Sequence, residues 1–136
     1  IGVVLQADLF RTEQDEARLS AMGARIRIVK GAYREPRTVA YQKKADVDAA
    51  YARLLTRLLE RGTYPAIATH DRVMLELAKR HAASLGLGPD RFEFQMLYGI
   101  RRDLQQQLVR EGYRVRLYIP FGRQWFPYFM RRLGER

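Results

Sequence analysis

The stretch RIRIVKGAYRE, Arg25 to Glu35, changes character within a few residues. Ile26, Ile28 and Val29 are β-branched and sit among charged neighbours, the composition of a short strand with two different faces. Ideal alternation puts Arg27 with Val29 on one face and Ile28 with Lys30 on the other. Gly31 then lets the backbone approach a ligand closely. Lys30 with the amides of Gly31 and Ala32 forms a small anion cradle, against the plainer reading of a strand running into an ordinary turn.

Outward from this segment the pattern repeats. Apolar runs of strand length occur at 3–6, 26–29, 66–69, 92–96 and 115–119. Helical spacing fills the intervals at 13–22, 46–61, 72–85 and 101–111, and a last helix is predicted over 125–133. Gly23, Gly62, Gly86 and Gly112 each follow a helical segment, where a left-handed C-cap is expected. Asp46 is the expected N-cap of the second helix.

Five strand–helix units in succession predict an α/β chain with a parallel sheet and right-handed crossovers. An open doubly wound sheet and a part of a (β/α)8 TIM barrel both meet that description. Ligands gather at the carboxyl ends of strands in both, and the strand ends here favour the barrel. Gln6, Lys30, His70, Gln95 and Tyr118 place a polar residue at the C-terminal end of nearly every strand, where barrel sites gather. A full barrel takes about 250 residues, so 136 residues make five-eighths of one. The chain opens directly in the apolar run Ile1-Gly2-Val3-Val4-Leu5 without a Met, which reads as a cut through a larger protein.

Composition narrows the chemistry. There is no cysteine, which removes disulfides, thiolate catalysis and cysteine-held metals, and suits a reducing cytosol. His70 and His81 show no metal-binding spacing, so no metal is expected. No apolar run is long enough to span a bilayer. The 25 Lys and Arg outnumber 15 Asp and Glu for a net charge of +10, which suits an anionic partner or simply a solvated basic face. Arginine dominates, and a planar guanidinium grips carboxylate or phosphate in a fork. A basic α/β module for nucleic acid or phosphate is therefore the competing reading. Its strands lack interleaved aromatic and basic residues and no helix-turn-helix is visible, so no nucleic-acid partner is expected.

Three further segments could carry chemistry. In ATHD, Thr69 and His70 end a strand just before a helix N-terminus, a place where anions bind, although a lone His is more often a structural hydrogen-bonder. In EFQMLYG, Gln95 interrupts an apolar strand and must be hydrogen-bonded, either structurally or to a heterocycle. In YIPFGRQWFPYFMRRLGE, the residues Tyr128, Arg131, Arg132 and Glu135 share one helix face, with Phe129 and Leu133 on the apolar side. Paired arginines beside an aromatic wall make a carboxylate or phosphate site, against the alternative of a solvated terminal helix.

The order LQA, RIVKGAY, ATHD, FEFQMLYG, Y-x-PFG and Y-x-x-RR-x-x-E resembles the proline dehydrogenase family, in particular its small monofunctional bacterial members, over essentially all 136 residues. The resemblance implies strands four to eight of a (β/α)8 barrel with their helices, residues 1–136 forming the C-terminal portion of an FAD-binding domain. It implies FAD across the strand ends and oxidation of L-proline to Δ1-pyrroline-5-carboxylate, with electrons passing to a membrane quinone. By the same resemblance Arg27 is the catalytic arginine beside the flavin. Gln6, Lys30, Gly31, Ala32, Thr69, His70, Gln95 and Glu135 contact the cofactor. Arg131 and Arg132 pair with the proline carboxylate, while Tyr33, Leu97, Tyr118 and Tyr128 wall its pocket.

The expected setting is a cytoplasmic protein that meets the inner face of a membrane through its electron acceptor. Two positions depart from the family pattern: Asp8 stands where an aromatic residue is usual, and Arg72 where Pro is common. The missing N-terminal half of the barrel is an implied partner. Five strands cannot close a barrel, so open edges are expected to favour self-association and little turnover from this chain alone.

Overall fold

In a computed structural model, which describes residues 2–133, the chain alternates strand and helix throughout. The strands are β1 (Gly2–Gln6), β2 (Arg25–Val29), β3 (Ala66–Ala68), β4 (Glu93–Leu97) and β5 (Val115–Tyr118). The helices are α1 (Thr12–Ala21), α2 (Lys44–Arg61), α3 (Arg72–Ser84), α4 (Arg102–Arg110) and α5 (Trp125–Leu133). All four strand pairings are parallel and the spatial order is β1-β2-β3-β4-β5. A doubly wound sheet reverses direction at a switch point. This one steps strand by strand in one sense, as an arc of a (β/α)8 barrel does.

Only one face of the arc is apolar. Ile26 and Ile28 of β2, Ile67 of β3, and Phe94 and Met96 of β4 pack with Leu54, Leu55 and Leu58 of α2, Leu75 and Ala78 of α3, and Leu104 and Leu108 of α4. Burying a Leu or Ile side chain is worth about 1.5–3 kcal/mol, so this layer supplies the main folding drive. Tyr51, fully buried, donates from its hydroxyl to the Ala68 carbonyl at 3.2 Å and ties α2 across β3. Under α1 the buried Glu16 carboxylate receives the Arg61 guanidinium and the Ser20 hydroxyl, so its charge is paired inside the layer.

Three of the four expected glycine caps have positive φ: Gly23 at 73°, Gly86 at 68° and Gly112 at 89°. Gly62 is different. It is extended, with φ −75° and ψ 155°, and a Cβ there would lie 2.5 Å from the Leu58 carbonyl oxygen. Glycine is required at that position by close approach, not by left-handed backbone. Asp46 is likewise not the N-cap of α2, because the helix starts two residues earlier and Lys43 holds the cap position. Asp46 falls in the first turn, where a carboxylate still favours the positive end of the helix dipole.

The loop after β2 is stapled to the loop after β1. Phe10 N–H donates to Val39 O at 3.0 Å, Tyr41 N–H to Asp8 O at 2.8 Å, and the Phe10 and Tyr41 rings meet edge-on. Both edge strands keep exposed apolar residues, Val4 on β1 and Leu117 on β5. No described helix is long and apolar enough to cross a membrane.

Candidate active site at the open mouth of the arc

The face of the sheet turned away from the helices carries a line of polar side chains across three strands. Arg27, on β2, donates from Nε to Gln95 Oε1 at 2.7 Å, and its guanidinium lies 4.6 Å from the centre of the Tyr118 ring. Gln95, buried on β4, turns its amide nitrogen to the Glu93 carboxylate two residues earlier on the same strand face. Glu93 also accepts from Arg116 of β5 at 2.7 and 2.9 Å and from the Tyr64 hydroxyl at 3.2 Å. Burial works to raise the Glu93 carboxyl, but Arg116, Gln95 and Tyr64 together hold it below its ordinary value. It is an anion in this network.

At the C-terminal ends of the strands lie two adjoining hollows. The larger, of about 330 Å³, runs from Lys30 and Thr69 past Arg72 and Arg101 to Arg132. The narrower one is walled by Arg27, Gln95, Leu97, Tyr118 and Tyr128, and shares Thr69, His70 and Arg132 with the first. Helix α5 lies over this mouth, with the Arg132 guanidinium 5.0 Å from the centre of the Tyr128 ring and 5.9 Å from that of Tyr33. Arg101, just before α4, adopts left-handed backbone at φ 51° and pairs with Asp103 at 2.9 Å. That hydrogen bond holds the Asp103 carboxyl down at about 2.

The structure assigns several expected residues to more than one task. Lys30 leaves β2 on the helix side, and its ammonium bridges Asp48 of α2 and Asp71, the N-cap of α3. Its charge is thus shared with two carboxylates. Thr69 accepts the Asp71 N–H at 3.1 Å, and His70 Nε2 accepts the Leu97 N–H at 2.9 Å, which requires that nitrogen to be unprotonated. Gly31 has φ 122°, and a Cβ on it would strike the Asp8 carboxylate. Asp8 itself is buried, with no hydrogen-bond partner for Oδ1, and burial raises its carboxyl above the ordinary value.

Arg131 and Arg132 separate. Arg132 faces the mouth, whereas Arg131 is exposed and lines a hollow of about 360 Å³ with Trp125, Tyr118 and Tyr128. Gln6 ends β1 half-buried and lines neither of the two mouth hollows, and Ala32 lies in the loop after β2. Glu135 lies outside the described residues. Sequence reasoning missed Glu93, Asp48 and Asp71. The alternation in Glu93-Phe94-Gln95 was the available signal for the first, since it puts both polar residues on one face.

A one-directional parallel α/β arc with cationic side chains and aromatic walls gathered at its strand ends defines a segment of a barrel with its polar mouth at those ends. The sequence profile of the family described as proline dehydrogenase matches residues 2–136. The chain is 55% identical over 135 residues to proline dehydrogenase of Deinococcus radiodurans, covering 99% of this chain and 44% of that protein. It is 48% identical to proline dehydrogenase 2 of Bacillus subtilis, over all of this chain and 45% of that one. Among solved structures, proline utilization A from Bdellovibrio bacteriovorus inactivated by N-propargylglycine superposes with a TM-score of 0.89 at 32% identity, over 97% of this chain and 16% of that one. This chain belongs to the proline dehydrogenase family. It spans less than half the length of the curated relatives it matches.

Proposed function

We propose that residues 1–136 form the C-terminal portion of an FAD-dependent barrel that oxidises L-proline to Δ1-pyrroline-5-carboxylate and passes the electrons to a membrane quinone, which it meets peripherally from the cytoplasm. The observation that carries this reading is the placing of Arg27 and Arg132 in the wall of one narrow hollow, with Tyr118 and Tyr128 between them. A small amino acid needs a cation for its carboxylate and an apolar wall for its ring; side chains of both kinds meet here around a space of about 30 Å³ beside the larger hollow. The adjoining larger hollow offers cations suited to the phosphates of a dinucleotide: Arg132 lines it with Arg72 and Arg101, the last two beside Asp103, and Thr69 and His70 follow β3 next to the N-terminus of α3.

When bound there, FAD supplies the acceptor for the hydride that leaves the proline ring carbon next to nitrogen. The chain's own residues bind and orient. Arg132 holds the carboxylate in charge-assisted hydrogen bonds, Arg131 adds positive charge from the neighbouring side of α5, and Tyr33, Leu97, Tyr118 and Tyr128 wall the ring. A placement error of about 1 Å is costly in such a transfer, so a rigid clamp matters. Arg27 is the catalytic cation, favouring negative charge on the reduced cofactor. Gln95 steadies it, and Gln6, Gly31, Ala32 and Glu135 complete the cofactor contacts. Lys30, already shared between Asp48 and Asp71, braces the loop so that the amides of Gly31 and Ala32 face the ligand.

The full-length protein, purified with FAD and made anaerobic, tests this directly. L-proline is expected to bleach the flavin absorbance. Retained flavin that proline leaves unchanged overturns the substrate, and failure to retain FAD overturns the cofactor.

A further inference from the structure

The network behind Arg27 has a polarity that its hydrogen-bond chemistry dictates. Arginine can only donate, and an ionised carboxylate can only accept. Gln95 stands between one of each. Its Oε1 must therefore face Arg27 Nε, and its Nε2 must face Glu93. An amide alone has no such preference and turns over at little cost. Glu93 is 5% exposed, and the ion pair with Arg116 fixes both of its oxygens.

We propose that Glu93 is a positioning residue for the reaction: by orienting the Gln95 amide it aims the Arg27 guanidinium at the bound flavin. This rests on the function proposed above. Glu93 touches neither hollow at the strand ends and acts only through Gln95. With Gln95 locked, Arg27 is held from two directions, the hydrogen bond at Nε and the Tyr118 ring beneath the guanidinium. Without the carboxylate, Gln95 Nε2 loses its anchor, the amide is held by Arg27 alone, and the guanidinium is no longer fixed in place. Arg116 is 60% exposed along its side chain, so water can solvate it when the carboxylate is gone and the fold persists.

The test is Glu93→Leu, which removes the acceptor, in the flavin-loaded full-length protein, read by the flavin midpoint potential and by hydrogen exchange of the Arg27 Nε–H in NMR. The potential is expected to move to more negative values, because the cation that favours the reduced flavin is displaced. The kcat for proline is expected to fall about ten-fold with little change in KM. A through-space charge effect has the opposite sign, since loss of an anion raises the potential, and that result overturns the proposal. An unmoved potential also overturns it and leaves Glu93 as a partner of Arg116 alone.

Gln95→Leu must also give a negative shift, and adding E93L to it must bring no further negative shift. A further negative shift in the double variant overturns the relay. If the parent protein holds no flavin or leaves proline unchanged, the proposed function falls. The exchange measurement then still decides the relay: Arg27 Nε–H must lose protection in E93L, and retained protection overturns it.

Discussion

Lys30 Nζ lies 2.7 Å from Asp71 Oδ2, while Asp71 Oδ1 caps α3 by accepting the Val73 N–H at 2.9 Å. One carboxylate thus caps the start of a helix and anchors the first residue of the β2–α2 loop. Asp48 of α2 holds the same ammonium from the other side. Burial acts to raise both carboxyls, but Lys30, joined at Asp48 by Lys44, outweighs it and holds both below the usual aspartate range. Lys30→Met is expected to destabilise the protein by about 1–3 kcal/mol at neutral pH, because Asp71 loses its cation and Asp48 is left with Lys44 alone. Their depressed values mean that this stability is present above pH 3.8 and is lost as pH falls through the lower folded-state value. Denaturant melts of parent and variant should therefore converge at acid pH.

Asp8 has the opposite sign. Its carboxyl is raised by burial, so the folded state holds its proton longer than the unfolded chain does. The charged form costs stability at neutral pH, and the cost disappears below pH 3.8. Asp8→Asn is expected to raise stability at pH 7 by about 1 kcal/mol, since the orphaned Oδ1 no longer carries charge. Equal melting of the two proteins at pH 7 would argue against this account.

Gly31→Ala should be the more damaging change in the same place. The backbone at φ 122° disfavours any side chain, and the new methyl group would meet the Asp8 carboxylate. A loss of about 2 kcal/mol or more is expected, reduced when Asp8 is also shortened to Ala. Additive losses in the double variant would show that the contact does not matter.

Arg131 and Arg132 are expected to differ although they are neighbours. Arg132→Gln removes the guanidinium at the mouth between Tyr33 and Tyr128 and should lower kcat/KM for proline about 10- to 100-fold, the worth of a charge-assisted hydrogen bond. Arg131→Gln, on the exposed side of α5, should cost less. Steady-state kinetics of the two full-length variants decide the order.

The succession of strands and helices was legible in the sequence because each element declares itself through a local period and a local stop. Gly23, Gly86 and Gly112 mark helix ends wherever the helix is placed. The residues that would meet a ligand were partly legible for the same reason: Lys30, His70 and Gln95 stand at or near the ends of recognisable strands. Gly62 was misread because its requirement is the Leu58 carbonyl, a neighbour that only the closed turn supplies.

What the sequence by itself determined is the α/β arc, the apolar face of its sheet and the family, since these rest on periodicity and on motifs read in order. Only the tertiary structure decided the partners. It brought Arg27 against a glutamine 68 positions away, and it shared Lys30 between Asp48 and Asp71. It also sent Arg131 and Arg132 into different hollows. The reason is physical: an apolar period needs only a face to bury, whereas a buried charge takes its partner from whichever strand or helix the fold lays beside it.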